Sequence, residues 1–208
     1  MITDPIQIGF VVVSLVLAFT VHEYAHGWMC YQLGDPTAKY EGRLTFNPLK
    51  HVEWLIVGLI TMTFIFTGVP VGWGKPVQFD SDNFRHPIRD AALVAFAGPL
   101  ANYVLTALLV VPLMLMQPEG LLFSFLAILC GVNLALALFN CLPCPPLDGW
   151  KILQAFVPRA TAREMQRLEV KTGMTALLVL LIVFLAVPKL NPLNPVYSLF
   201  WRTVVLRA

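Results

Sequence analysis

From Ile6 to Val21 the chain carries no charged residue, and that run leads directly into His22-Glu23-Tyr24-Ala25-His26. Ionisable groups at such a position are expensive and functional by default. Three of them within five residues need a compensating partner, and a divalent metal is the simplest one. On a helix, residues four apart share a face, so His22 and His26 can reach one ion together. Glu23, one step round, is close enough to act on a water bound there. H-E-x-x-H on a helix is the pattern of two zinc ligands and a general base. The rival reading is a pair of buried histidines hydrogen-bonded to neighbouring helices.

The rest of the chain fits a membrane setting. Of its 208 residues 58% are hydrophobic and 12% are charged, and the mean hydropathy is +0.73. Soluble domains carry about a quarter charged residues, so the composition describes a polytopic membrane protein, and its long apolar segments are expected to form an all-α transmembrane helix bundle. A net charge of +2 is too small to argue for nucleic acid. Cys30, Cys130, Cys141 and Cys144 form no disulfide framework. The first residues have no basic stretch, so the first apolar run is expected to stay in the protein. With no repeat or low-complexity tract, residues 1–208 are expected to form one membrane domain.

Five apolar segments follow in order. Segment one runs from Pro5 to about Leu33, where Gly34 and Pro36 supply a helix end. At 1.5 Å per residue it is roughly 43 Å long, more than the roughly 30 Å of hydrocarbon. Segment two spans Val52 to Val69, segment three Asp90 to Met116, segment four Leu121 to Leu142 and segment five Thr172 to Val187. The stretches Lys39–Phe46 and Val71–Phe79 have an extended character. The tail Val196–Arg207 suits either an interfacial helix or a packed terminus.

Charge sets the topology, because cytoplasmic loops carry excess Lys and Arg. If segment two does not cross, one side holds eleven basic residues and the other three; if it crosses, the sides hold six and eight. Segment two is therefore expected to be re-entrant or to lie against the bundle, as irregular backbone can be where it is buried in protein or lines a wet cavity. Segment four then ends on the side where segment one ends.

A catalytic zinc usually has three protein ligands and one open position. His51 and His86 lie in polar loops and read as surface residues. Asp148 follows the end of segment four, in Asn140-Cys141-Leu142-Pro143-Cys144-Pro145-Pro146-Leu147-Asp148-Gly149. Three prolines prevent a regular helix there, and a carboxylate on broken backbone at the end of an apolar segment suggests a site. Its competing role is a helix N-cap for Gly149–Phe156. Cys141 and Cys144 form a C-x-x-C, but no second pair and no βαβ context accompany it.

His22-Glu23-x-x-His26, Ala97-Gly98-Pro99-x-x-Asn102 and Asn140-x-x-Pro143-x-x-x-Leu147-Asp148-Gly149 together resemble the site-2 protease family of intramembrane zinc metalloproteases. Gly42-Arg43-Leu44-Thr45-Phe46-Asn47-Pro48 and Gly72-Trp73-Gly74-Lys75-Pro76-Val77 resemble its small prokaryotic form, which lacks a PDZ domain. The resemblance implies one zinc ion per chain, held by His22, His26 and Asp148, with Glu23 as catalytic base. It implies that Asn140 helps hold substrate or stabilise the oxyanion. Trp150 is a departure, since the family commonly has a small residue after Asp-Gly; a bulky indole there would narrow the cleft.

The function expected is hydrolysis of peptide bonds in or near transmembrane segments of membrane proteins. The extended stretches would pair with an unwound substrate as added strands. Together with the charge bias, the resemblance implies a multi-pass protein of the prokaryotic plasma membrane, with its active site toward the cytoplasm. The rival classes are a metal transporter, or other metal-binding membrane protein, and a proteolytically dead scaffold. A transporter needs polar groups through both halves of the membrane, and segments three and four offer few. The intact Glu23 argues against the scaffold.

Overall fold

A computed structural model describes residues 4–51, 57–59, 61–62, 78–116, 119–186 and 194–206. Its helices are α1 (Pro5–Gln32), α2 (Thr37–Tyr40), α3 (Pro87–Leu115), α4 (Gly120–Asn140), α5 (Asp148–Gln154), α6 (Arg159–Ala186) and α7 (Asn194–Phe200). Residues 57–59 and 61–62 are also helical, and a π-helical turn, Trp201–Val205, closes the chain. Among the described residues there is no strand. α1, α3 and α4 are each long and apolar enough to cross a membrane, and the protein is a multi-pass membrane protein.

Local chemistry sets the ends of α1. Asp4 accepts from the Ile6 backbone N–H at 3.0 Å, and Pro5 occupies the first turn, where its missing N–H loses nothing. At the other end Gly34 takes φ +103°, a left-handed conformation that glycine adopts without a Cβ penalty.

The three long helices pack through small residues. Ala95, Ala97 and Gly98 of α3 lie buried in the bundle, and such residues let backbones approach where lipid gives no hydrophobic drive. His26 meets Val94 while Ala18 meets Asn102, so α1 and α3 run antiparallel. Leu113 near the end of α3 clusters with Phe123 near the start of α4, which makes α4 antiparallel to α3 and parallel to α1. Val11, Leu15 and Phe19 of α1 pack against Ile128, Val132 and Leu136 of α4.

The connection from α1 to α3 begins and ends at the same end of the bundle. The clamp is Asp35, which is fully buried. It accepts from the Thr37 hydroxyl at 2.6 Å, the Thr37 N–H at 3.1 Å, Asn83 Nδ2 at 2.9 Å and the Asp80 N–H at 2.9 Å. Burial pushes its carboxyl upward, but these donors outweigh it and hold the group below its ordinary value.

Several expectations change. Lys39–Phe46 is not extended: Lys39 and Tyr40 belong to α2, and turns follow. Gly42 at φ +69° reverses the chain. The N–H groups of Gly42 and Arg43 return to the carbonyls of Lys39 and Ala38, which leaves these donors no ladder to join. Segment two, Val52–Val69, lies largely outside the described residues, as does most of Val71–Phe79. The helix of segment five starts at Arg159, so its basic approach is helical too. The tail is a packed terminus, with Phe200 and Val205 buried against Leu113 and Phe123.

Candidate metal centre

α1 presents His22 and His26 one turn apart, their rings 4.5 Å between centroids and nearly perpendicular. Both Nε2 atoms face Asp148: Oδ2 lies 3.1 Å from His22 and 3.3 Å from His26. The three ligand atoms lie within 4.8 Å of one another. His22, Glu23 and His26 are 3%, 5% and 7% exposed, so the group is inside the protein.

Each ring is oriented from behind. His22 Nδ1 lies 2.6 Å from Asn102 Oδ1, and His26 Nδ1 lies 2.7 Å from the Val94 carbonyl oxygen. These oxygens only accept, so both Nδ1 atoms carry hydrogen. Each Nε2 then meets the carboxylate either protonated, as an imidazolium, or as a lone pair that calls for a cation. Two imidazole nitrogens and one carboxylate oxygen, backed by hydrogen bonds to the far nitrogens, are the donor set and outer support of a catalytic zinc. His22 Nε2, His26 Nε2 and an Asp148 carboxylate oxygen would hold a divalent ion, and its binding would release any protons that the Nε2 atoms carry. The residues present therefore fit such an ion.

Glycine makes room for this arrangement. A Cβ on Gly98 would fall on His26 Nε2 and Cε1 and against His22 Cε1. Gly98 is thus the floor of α3 over which the two rings lie. Asp148 arrives on irregular backbone. After α4 ends at Asn140, Pro143, Pro145 and Pro146 exclude a helix, and the Leu147 N–H returns to the Cys144 carbonyl at 2.9 Å. A Cβ on Gly149 would collide with the carbonyl oxygens of Cys141 and Leu142, so Asp-Gly is what the close turn requires. Asp148 is not the N-cap of α5; Leu147 holds that position, and no side chain caps the helix. Burial raises Asp148, yet the two imidazoles outweigh it and keep the carboxyl ionised, below its usual range.

The other candidates separate. Glu23 is buried on α1 beside this group and interacts electrostatically with His26. Asn140 closes α4, and its amide donates to the Leu136 carbonyl at 3.0 Å; it makes no hydrogen bond to His22, His26 or Asp148 among the described residues. His86 is exposed. His51 is not a surface residue: it is fully buried, with Nε2 2.7 Å from the Thr45 carbonyl oxygen. Its loop folds back on α1, where Phe46 stacks on Tyr24 at 4.1 Å. Neither loop histidine joins the group. Cys141 and Cys144 are free thiols pushed up by burial, which disfavours the reactive thiolate. The Trp150 indole donates to the Met165 carbonyl at 3.2 Å, tying α5 to α6.

Sequence reasoning gave no role to Asn102 in supporting His22, nor to Asn133 behind it. A signal was present. Asn102 is the one amide in segment three, and Asn133 lies mid-way along segment four, positions where a polar side chain needs a reason.

The fold and this group define a class, multi-pass membrane proteins with a metal-capable centre inside the helix bundle. Known proteins narrow it. The model of "Peptidase family M50" matches residues 118–185, which include Asp148. A Bacillus subtilis protein named "Putative zinc metalloprotease YwhC" is 36% identical over 77% of this chain and 74% of its own length. One from Methanocaldococcus jannaschii, "Putative zinc metalloprotease MJ0611", is 39% identical over 69% of this chain and 70% of its own. "Putative zinc metalloprotease Rip2" of Mycobacterium tuberculosis is 29% identical over 87% and 68%. No solved structure matches the chain at a significant level. The chain belongs to the site-2 protease family, peptidase family M50, and is a metalloprotease.

Proposed function

We propose that the protein is a zinc-dependent intramembrane endopeptidase that hydrolyses peptide bonds in or near transmembrane segments of other membrane proteins. The observation that carries this reading is the convergence of His22, His26 and Asp148 within membrane-length helices. These three residues hold one zinc ion. When bound, zinc supplies Lewis acidity, lowering the pKa of water toward neutrality and polarising the scissile carbonyl. Glu23 takes the proton of the attacking water and returns it to the leaving amine. Asn140, beside the turn that delivers Asp148, donates from its amide to the substrate backbone or the developing oxyanion. A substrate helix must unwind to be cut, because the carbonyls of an intact helix are shielded by their own hydrogen bonds.

The protein is placed in the plasma membrane of a prokaryotic cell, with the centre opening toward the cytoplasm. The distribution of eleven basic residues against three supports this orientation. Segment two is read as re-entrant. The Asp35 clamp, which holds the start and end of that connection side by side, favours this over a net crossing. The test is cleavage of single-span substrates by purified protein in vesicles, with chelator and with zinc restored. Cleavage abolished by chelator and restored by zinc is expected; cleavage indifferent to both overturns the reading.

A further inference from the structure

Behind the metal centre lies a second arrangement of polar atoms, made entirely of amides. Asn102 on α3 and Asn133 on α4 are both fully buried within membrane-length helices. Asn133 Nδ2 donates to the Leu129 carbonyl at 2.8 Å. Asn102 Nδ2 donates to Asn133 Oδ1 at 2.7 Å and to the Ala18 carbonyl at 3.1 Å. Asn102 Oδ1 then faces His22 Nδ1 at 2.6 Å.

The order of donors along this chain is forced. A backbone carbonyl only accepts, so Leu129 dictates which end of the Asn133 amide it receives. That leaves Asn133 Oδ1 facing Asn102 and requires Asn102 to present Nδ2. Ala18 makes the same demand independently. With Nδ2 committed twice, Asn102 Oδ1 is turned to His22, whose Nδ1 must carry hydrogen. Nε2 is then the nitrogen that faces His26 and Asp148. In the opposite amide orientation, oxygen would face oxygen at two contacts in a medium without water to relieve them.

We infer that Asn133 and Asn102 are positioning residues: an amide relay anchored on Leu129 and Ala18 holds His22 in the Nδ1–H tautomer and aims its Nε2 at the metal. The inference rests on His22, His26 and Asp148 being the ligands. Neither asparagine touches metal or substrate. Asn102 acts on His22 directly, and Asn133 acts only through Asn102. The tie also binds α1, α3 and α4 at the depth of the centre, so one network sets both the ligand's tautomer and the alignment of its helices.

The experiment measures zinc affinity of the full-length protein by chelator competition, and the visible spectrum of its cobalt-substituted form. Asn102→Leu removes the acceptor at similar size and is expected to weaken zinc about 10- to 100-fold and to alter the cobalt spectrum. Asn102→Asp keeps an oxygen to accept from the His22 Nδ1–H and is expected to restore most of the affinity. Asn133→Leu weakens zinc less than Asn102→Leu, because Ala18 still anchors Asn102. The double variant Asn102→Leu/Asn133→Leu then matches Asn102→Leu alone, the non-additivity expected of a relay. Parent-like affinity and spectrum in Asn102→Leu, or additive losses in the double variant, overturn the inference. If Asn102→Leu does not fold, the comparison of Asn102→Asp with Asn133→Leu decides: the inference stands if the acid binds zinc more tightly and falls otherwise. His26→Ala serves as control. If it too binds zinc like the parent, the ligand assignment has failed and the relay falls with it; if it loses zinc while Asn102→Leu does not, the relay alone is wrong.

Discussion

The two halves of the candidate metal centre are built in opposite ways. His22 and His26 ride on α1, an unbroken helix of 28 residues whose periodicity sets their spacing. Asp148 is delivered by a turn in which no periodicity survives, between the end of α4 and the seven residues of α5. The helical half derives its geometry from the backbone and needs outside help only to orient the rings. The turn half depends on residues that forbid regular structure, Pro143, Pro145 and Pro146, and on a glycine at the close approach. A regular element can thus place two ligands by spacing alone, whereas a single ligand from another part of the chain needs a dedicated irregular element.

The strongest way to break this comparison is to remove one ligand from each half. His26→Ala and Asp148→Ala are both expected to lose zinc and to reduce cleavage to background, measured as metal content and turnover of a single-span substrate. Retention of zinc by Asp148→Ala would leave the helical half as the whole site. Glu23→Gln is expected next in size: it keeps zinc and loses about 10²- to 10⁴-fold in turnover, as removal of a general base does. Near-parent turnover in the metal-loaded variant would show that another group takes the proton.

Two glycine substitutions sharpen the contrast. Gly149→Ala places a methyl on backbone oxygens of Cys141 and Leu142, which cannot rotate away. Gly98→Ala places one on the His26 and His22 rings, which can. Both are overpacked by about 1–3 kcal/mol. The alanine at 149 is expected to lower thermal stability more, and the alanine at 98 to lower zinc affinity more. The reverse pattern would mean that the turn yields and the rings do not.

How far the sequence foretold this arrangement follows the same division. The bounds of α1 were legible because Asp4-Pro5 starts it and Gly34 with Pro36 ends it, all local signals. The His22–His26 pair was legible because helix spacing is a property of neighbours. Asp148 stood out as a carboxylate on proline-broken backbone at the end of an apolar segment, but only topology and resemblance paired it with α1, since nothing adjacent to it points there. Asn102 and Asn133 appeared as isolated polar residues, and their role depends on two carbonyls on other turns of the bundle. His51 read as exposed because its loop is polar, yet the loop folds so that the ring is fully buried, with Nε2 2.7 Å from the Thr45 carbonyl oxygen. Lys39–Phe46 read as extended from its aromatic and β-branched content, and a left-handed Gly42 overrode that preference.

The smallest expected effect lies at Asp35, away from the centre. Its carboxyl is held below the ordinary value near 4, so its stabilising contribution is fully present above about pH 4. That contribution fades as pH falls through the lowered value. Asp35→Asn sets an amide against the Asp80 N–H, and its thermal stability is expected to be lower at neutral pH and to vary less between about pH 4 and pH 2. An equal pH slope in the two proteins would remove Asp35 as the source.

The long helices differ in length: α1 has 28 residues, α3 has 29 and α4 has 21. At 1.5 Å per residue these are about 42, 44 and 32 Å. Only α4 matches a bilayer of about 30 Å; the other two must tilt or project from it, and the strain of mismatch is a fraction of a kcal/mol per Å. A thicker bilayer acts unequally on helices of different length and favours a more upright α1 and α3. The histidines travel with α1, and the carboxylate follows α4. The unequal lengths therefore load the Asn102 ties to Ala18 and Asn133, which resist any shift of α1 against α4 as bilayer thickness changes.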